Sequence, residues 1–311
     1  MSLPLLGAGM ATDGPSAVLD LNFASLLSLT PSVGPTPSYT RASTGTYFNA
    51  SGVLTTAAIN GPRFDHVYNG VSWVSKGLLV EEARTNSVLQ SNGTSAGWTS
   101  STSTTATNAL LSPDGTVNAS EINVSAGSYP GKYFAATGMP LAFYSYSIYA
   151  KKGTKNWFFV LQNGDPTKVA FFNLNTGALG SIIGSGFSSS ISDVGGGWYR
   201  CVVTDTVAQA AGTVYHQFGV PESNGATVGS TSGNVYIYGA QLEAGSFPTS
   251  YIPTTTAAVT RSADICQITG GDFSGFWNQT EGSVVLSYDM LLTTLPAANT
   301  STSVYSVECW I

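Results

Sequence analysis

An all-β fold, built as two or three sandwich-type modules, is what this 311-residue sequence predicts, and three observations predict it. Short apolar segments alternate with polar positions at a period of two. Clusters of Gly, Asn, Pro and Ser that favour turns recur between them at intervals of about a dozen residues, the spacing of sandwiches and jelly rolls. No stretch from 91 to 262 holds a sustained helical period with caps.

Residues 1–40 are punctuated by Pro and Gly. Within them AVLDLNF predicts a strand and ASLLSL a helical turn. Pro31, Pro35 and Pro37 then force extended chain. The expectation is a loosely folded arm that packs on a partner. Residues 41–90 read as hairpins. GTYFNASGVLTTA places a turn at Asn49–Gly52 between two β-rich runs, and PRFDHVYNGVSWVSK places another at Asn69–Gly70. Together, residues 1–90 form an N-terminal attachment arm with β-hairpins.

Residues 91–262 form the clearest module, expected to be a jelly roll. Its strand signals are TVNASEINV, FYSYSIYAKK, NWFFVLQN, VAFFNLNTG, WYRCVVTDTV, VYHQFGV and NVYIYGAQLEA. In FYSYSIYA the large residues Phe143, Tyr144, Tyr146, Ile148 and Tyr149 nearly alternate with small polar ones, the pattern of a half-buried strand. Residues 263–311 begin again, with SVVLSYDMLL and SVYSVECWI as strands. The run ends at Ile311, a poor place for an unpaired strand to stop. The last module is therefore expected to be the incomplete start of a second sandwich, or to be completed by a partner.

Composition narrows the function. Hydrophobic residues make up 42% of the chain, enough for real cores, and charged residues only 9%, against roughly 25% in ordinary domains. An uncharged polar surface over β-structure tolerates changes in salt, because little depends on screened charge. The net charge is −6 and the 11 Lys and Arg are scattered. Binding to nucleic acid or to acidic lipid is disfavoured. The start has no basic n-region and is broken by Pro4 and Gly7, so no signal peptide is expected. No apolar run is long enough to span a bilayer, and no membrane insertion is expected. Cys201, Cys266 and Cys309 have no short spacing; they read as buried free thiols, with a Cys266–Cys309 cross-link as the alternative.

Several stretches resemble the virion proteins of tailed bacteriophages, namely tail-fibre, spike and appendage proteins with a carbohydrate-binding-module-like jelly roll. These are YTRASTGTYFNASGVLTTAAINGPRFDH (39–66), GLLVEEARTN (77–86), SPDGT (112–116), YSIYAKKGT (146–154), FFNLNTG (171–177), DVGGGWYRC (193–201) and IYGAQLEAGSFPTSYIPTTTAAVTRSAD (237–264). EGSVVLSYDM (281–290) resembles the opening of a concanavalin-A-like sandwich. The resemblance implies a virion location, contact with other virion proteins, a homotrimer and a host surface polysaccharide as a ligand. It does not fix one function, since such modules also serve as spacers.

Candidate chemistry is sparse. A sugar ring stacks on Trp or Tyr while its hydroxyls need Asn, Asp or Gln. Trp157 with Asn156, Gln162, Asn163 and Asp165 is the first such cluster, followed by Trp98, Tyr129 and Tyr133. Each also reads as a core or loop anchor. Gln241 and Glu243 alternate with Leu242 along a strand, and in sugar-binding jelly rolls a polar strand near this position lines a site. The plainer reading is a sheet strand. GGGWYRC (195–201) reads as a packing corner in which Arg200 covers the core edge or pairs with Asp193, against a sugar site as the alternative. Glu81 and Glu82 are adjacent, so they point apart and share no substrate. His66 and His216 accompany no G-x-S-x-G elbow. No metal motif occurs, although Asp114 and Glu243 could contribute to a loop Ca²⁺ site. Neither an enzyme nor a cofactor is expected. A structural role in a phage particle, supporting host attachment, stands ahead of direct glycan binding by the jelly roll.

Overall fold

The computed structural model describes residues 17–92, 97–280, 285–290 and 304–310. The fold is all-β; among the described residues the sheets are antiparallel and the helices are two short α-helices and one 3-10 turn (Gln162–Gly164). In chain order the first part holds α1 (Phe23–Leu26), β1 (Ser38–Thr40), β2 (Gly45–Phe48), β3 (Leu54–Ala57), β4 (Phe64–Tyr68), β5 (Trp73–Val80) and β6 (Arg84–Asn86). The central part holds β7 (Trp98–Ser101), β8 (Ser103–Leu111), β9 (Val117–Val124), β10 (Gly127–Ser128), β11 (Gly131–Met139), β12 (Tyr144–Lys152), β13 (Trp157–Leu161) and β14 (Val169–Asn173). It continues with β15 (Ala178–Ile183), β16 (Phe187–Asp193), β17 (Trp198–Asp205), β18 (Gly212–Gly219), β19 (Val228–Gly229) and β20 (Gly233–Ala244). Last come β21 (Val259–Arg261), β22 (Ile265–Gln267), α2 (Gly270–Ser274), β23 (Val285–Met290) and β24 (Val304–Trp310).

Both expected hairpins form. β2 pairs with β3 across a turn in which the Asn49 carboxamide accepts the amides of Ser51 and Val53, and Gly52 takes φ +75°. β4 pairs with β5, with the Asn69 carboxamide accepting the amides of Val71 and Ser72. The Pro-rich start differs from expectation. Asp20 makes only an isolated bridge to Val33, and Asn22 caps α1 by accepting the Ser25 amide, so helix replaces the end of the expected strand. The segment also packs on its own chain: Leu19, Leu21 and Phe23 are buried with Tyr39 and Leu78.

The central part is a sandwich of two six-stranded sheets, ordered β15-β14-β13-β18-β11-β7 and β16-β17-β12-β20-β9-β8. Alternation decides what faces inward. Tyr144, Tyr146, Ile148 and Ala150 of β12 meet Phe158 and Val160 of β13, Phe218 of β18, and Ile237 and Leu242 of β20 in one core. Phe158 stacks on Phe218 at 5.5 Å between ring centroids.

The outer face of the β12 sheet is not open to water. Tyr149, Trp198 and Tyr238 point away from the core and pack on Leu54 and Phe48 of the hairpins and on Tyr251. The chain leaving the sandwich then returns to where it came in. β21 pairs with β6 (Arg84↔Arg261) and β22 with β1 (Tyr39↔Cys266). Pairing thus crosses the sequence boundaries at 90 and 262, and a base forms from the hairpin region together with the returning segment. β23 and β24 pair with each other, and β24 joins β5. Of the stretch resembling a second sandwich, residues 281–284 lie outside the described residues.

Candidate functional site

Two places concentrate polar chemistry: a buried charged seam in the base, and an open cleft on the sandwich. The seam gathers residues far apart in sequence. The Asp264 carboxylate accepts from Arg41 Nη1 at 3.1 Å, Arg63 Nη2 at 2.5 Å, Tyr39 Oη at 2.5 Å and the Glu81 amide at 2.8 Å. The Glu81 carboxylate pairs with Arg63 Nη1 at 2.8 Å and Arg261 Nη2 at 3.4 Å, and accepts the Ser250 amide and hydroxyl at 2.7 and 2.6 Å. Other arginine donors reach backbone carbonyls, Arg41 to Ala58 and Ser43, Arg63 to Thr46, and Arg261 to Glu82, while Nε of Arg63 and of Arg261 finds no partner among the described residues. All five charged side chains are essentially inaccessible to water.

Burial alone would raise the Glu81 carboxyl. Arg261 and Arg63 outweigh it and hold the group at about 2. Asp65 lies beside this seam with no arginine bonded to it. Burial pushes its carboxyl up to about 7, although the Phe48 amide donates to it at 2.7 Å. The seam joins two hairpins to the returning chain. Its residues sit in the TRAS, PRFDH, LLVEEAR and TRSAD stretches. The usable signal was the presence of arginines in apolar surroundings in a chain that has few.

Gln241 and Glu243 lie on the seam side of β20 and are fully buried. The Gln241 amide donates to Glu243 at 2.9 Å, and its oxygen accepts the Ile252 amide at 2.7 Å. Glu243 also accepts the Thr249 hydroxyl at 2.8 Å and the Thr249 amide. Their partners lie within the chain, where they fix the returning segment to the sheet. Arg200 behaves similarly, donating to Ser147 Oγ and the Thr249 carbonyl and lying 5.6 Å from the Tyr149 ring centre. It does not pair with Asp193, which accepts the Gly195 amide instead. Gly195, Gly196 and Gly197 all take positive φ, and Trp198 is buried behind them, so the GGGW stretch forms the packing corner.

The aromatic cluster is divided by the strand that carries it. Trp157 opens β13, whereas Asn163 and Asp165 follow its far end, about 13 Å along at 3.3 Å per residue. Asn163 bonds Gln209 and the Tyr215 amide, and Asp165 caps Thr167. Gln162 is buried and donates to Asp205 at 2.7 Å; burial pushes the Asp205 carboxyl up to about 6. Trp98 is core. Tyr129 packs edge-on to Phe159, and Tyr133 pairs with Tyr215. His66 Nδ1 bonds the Phe48 carbonyl, and His216 is buried with its ring pushed down to about 4. Asp114 is occupied by Ser112, Thr116, Asn118 and Tyr238. Cys201 and Cys266 are free thiols; the Cys309 side chain lies outside the described residues.

Trp157 and Asn156 instead line a cleft of about 380 Å³ on the outer face of the sheet. There Trp157, Phe159 and Phe171 form a small outer cluster beside the segment between β18 and β20. One wall is Lys155, whose Nζ donates to Glu222 at 2.8 Å and to the Thr231 hydroxyl at 2.5 Å. Glu222 and Thr231, joined to Lys155 by these bonds, also line it, with Ser232. Among the described residues, Glu222 is the one carboxylate lining the cleft. Glu222 was not singled out in the sequence because 67 positions separate it from Lys155 and no spacing motif links them.

No family model matches the chain, and no curated protein matches it. Among solved structures it is similar to the enzymatically active domain of tailspike protein 4 of bacteriophage CBA120, at 18% identity and a TM-score of 0.29. The likeness covers 50% of this chain and 21% of that one, so the chain spans about a fifth of the length of that structure.

Proposed function

We propose that the chain is a structural segment of a tailed-phage particle, part of a fibre or spike or its anchoring section, that supports host attachment. The observation carrying this reading is the buried seam. Arg41, Arg63 and Glu81 on one side and Arg261 and Asp264 on the other close the base, hairpins to returning segment, by contacts that water does not reach. Such a joint fixes orientation, which a spacer or mount needs. The phage assignment rests on the sequence resemblance over residues 39–264. Other virion proteins are the expected partners, with threefold self-association multiplying weak contacts. The test is imaging of purified particles with an antibody to this chain. Label on an appendage supports the reading, and particles that lack the chain overturn it.

A second reading, direct contact of the sandwich with host polysaccharide, is favoured by one observation. The Trp157 cleft gathers hydroxyl, amide and charged groups beside an aromatic residue.

A further inference from the structure

We propose that a second cleft, where the two hairpin turns meet the GGGW corner of the sandwich, binds a small organic anion, with its acid group on the Lys151 ammonium and its apolar body on Val53, Leu111 and Trp198. This cleft shares no residue with the Trp157 cleft, and its chemistry does not depend on the appendage reading.

Three features carry it. The first is the lining. Val53 and Trp73 come from the hairpins, Leu110 and Leu111 from β8, and Val194 and Trp198 from the corner, around about 270 Å³. Leu111 is 53% exposed, so apolar surface is open to a ligand. The volume lies just below the roughly 300–1,000 Å³ of drug-sized sites and suits a body of one or two rings. The second is charge. Lys151 is the one charged residue lining the cleft, among the described residues. It sits opposite Trp198 in the ladder between β12 and β17, so its stem and the indole share the outer face of the sheet. Its Nζ donates to the Gly196 carbonyl at 2.6 Å. That uses one of three protons and leaves two for a ligand oxygen. Asp114 and Asp193 bond the cleft residues Ser112 and Gly195 but lie outside the lining. Beside apolar side chains an uncompensated charge is weakened less than in open water. The cleft therefore attracts an anion and repels a cation. The third is a fixed donor. Phe48 and Tyr68 hold the Trp73 ring at 4.9 and 5.6 Å between centroids. Its Nε1 edge faces two cleft glycines: an added Cβ on Gly52 would lie 2.1 Å from Nε1, and one on Gly195 3.6 Å. Bare glycine at both places leaves this edge uncovered. An indole N–H only donates, which suits an acid oxygen and not an ammonium.

The experiment is calorimetric titration of the full chain with three probes that share one ring system: naphthoate, neutral naphthamide and naphthylmethylammonium. Naphthoate is expected to bind tightest, by about tenfold or more over the ammonium probe, as one ion pair in partly apolar surroundings gives. Lys151→Met is expected to bring naphthoate down to the level of naphthamide. Leu111→Glu sets a carboxylate at an exposed position on the rim. It is expected to abolish naphthoate binding and to favour the ammonium probe, with an unchanged melting temperature. No saturable binding of naphthoate, equal binding of the ammonium probe, or unaltered naphthoate affinity in Lys151→Met or Leu111→Glu would each overturn the proposal. The order of the three probes on the unsubstituted chain decides the matter even where a variant is destabilised.

Discussion

Removing the Asp264 carboxylate is the most direct perturbation of the base. Asp264→Ala takes the acceptor from four donors at once: Tyr39 Oη, Arg41 Nη1, Arg63 Nη2 and the Glu81 amide. It also leaves three buried guanidinium groups facing the single carboxylate of Glu81. Breaking a buried ion pair by truncation costs about 3–5 kcal/mol, because the abandoned charge stays dehydrated. The four bonds do not add further in full, since they share one acceptor and the arginines keep their carbonyl partners. A loss of that size is a large part of the roughly 5–15 kcal/mol that holds a domain folded. The sandwich has its own core, so the loss should fall on the base. Hydrogen exchange reads this strand by strand. Amides of β1, β6, β21 and β22 should lose protection by about a hundredfold or more, with those of β12 and β13 unchanged, at 1.4 kcal/mol per tenfold. A change below about 1 kcal/mol, or equal loss in both parts, would refute the reasoning that the seam holds the base.

Three other predictions follow from single sites. The Asp65 carboxyl is raised from 3.8 to about 7. The native state therefore holds the proton that the unfolded chain releases first, and this contribution to stability is present below pH about 4 and lost as the pH rises through about 7. Asp65→Asn should accordingly be more stable than wild type at pH 8 and equal to it at pH 4, measured by urea midpoints; an unchanged difference across that range would contradict it. Phe218→Ala empties a fully buried position between Phe158 and Trp98 and should cost about 3–5 kcal/mol in a urea melt, with a cost below 1 kcal/mol counting against the packing described. Gly52→Ala places a Cβ 2.1 Å from the Trp73 indole nitrogen at φ +75°, so it should destabilise the first hairpin by about 1–3 kcal/mol and shift Trp73 emission. Unaltered emission and stability would show that the turn tolerates a side chain.

Strand positions were readable because large apolar residues recur at nearly every second position. All seven named segments of the sandwich form strands, and the two Asn turns occur where Asn and Gly marked them. What the pattern hid was the second face. Ser145, Ser147, Gln241 and Glu243 are polar at alternate positions, which locally looks like exposure to water. They are buried because residues 247–254 and the hairpins cover that face, and each finds a partner there. Nothing within a strand encodes that covering: Thr249 folds back on Glu243 from 6 positions away, and Glu81 reaches Ser250 across 169. The same limit divides the aromatic cluster. Trp157 and Asp165 are close in sequence, but an extended strand carries them to different ends of the sheet.

The ladder between β6 and β21 places Arg84 opposite Arg261, so the polypeptide passes into the sandwich and out of it through one doorway. Tension applied to the chain on either side of that doorway would meet the ionic clasp of Glu81, Arg63, Arg261 and Asp264 first and the ladder second. The two six-stranded sheets beyond would stay slack until both had parted. A fold arranged this way can be tugged at its root without deforming the surface it presents.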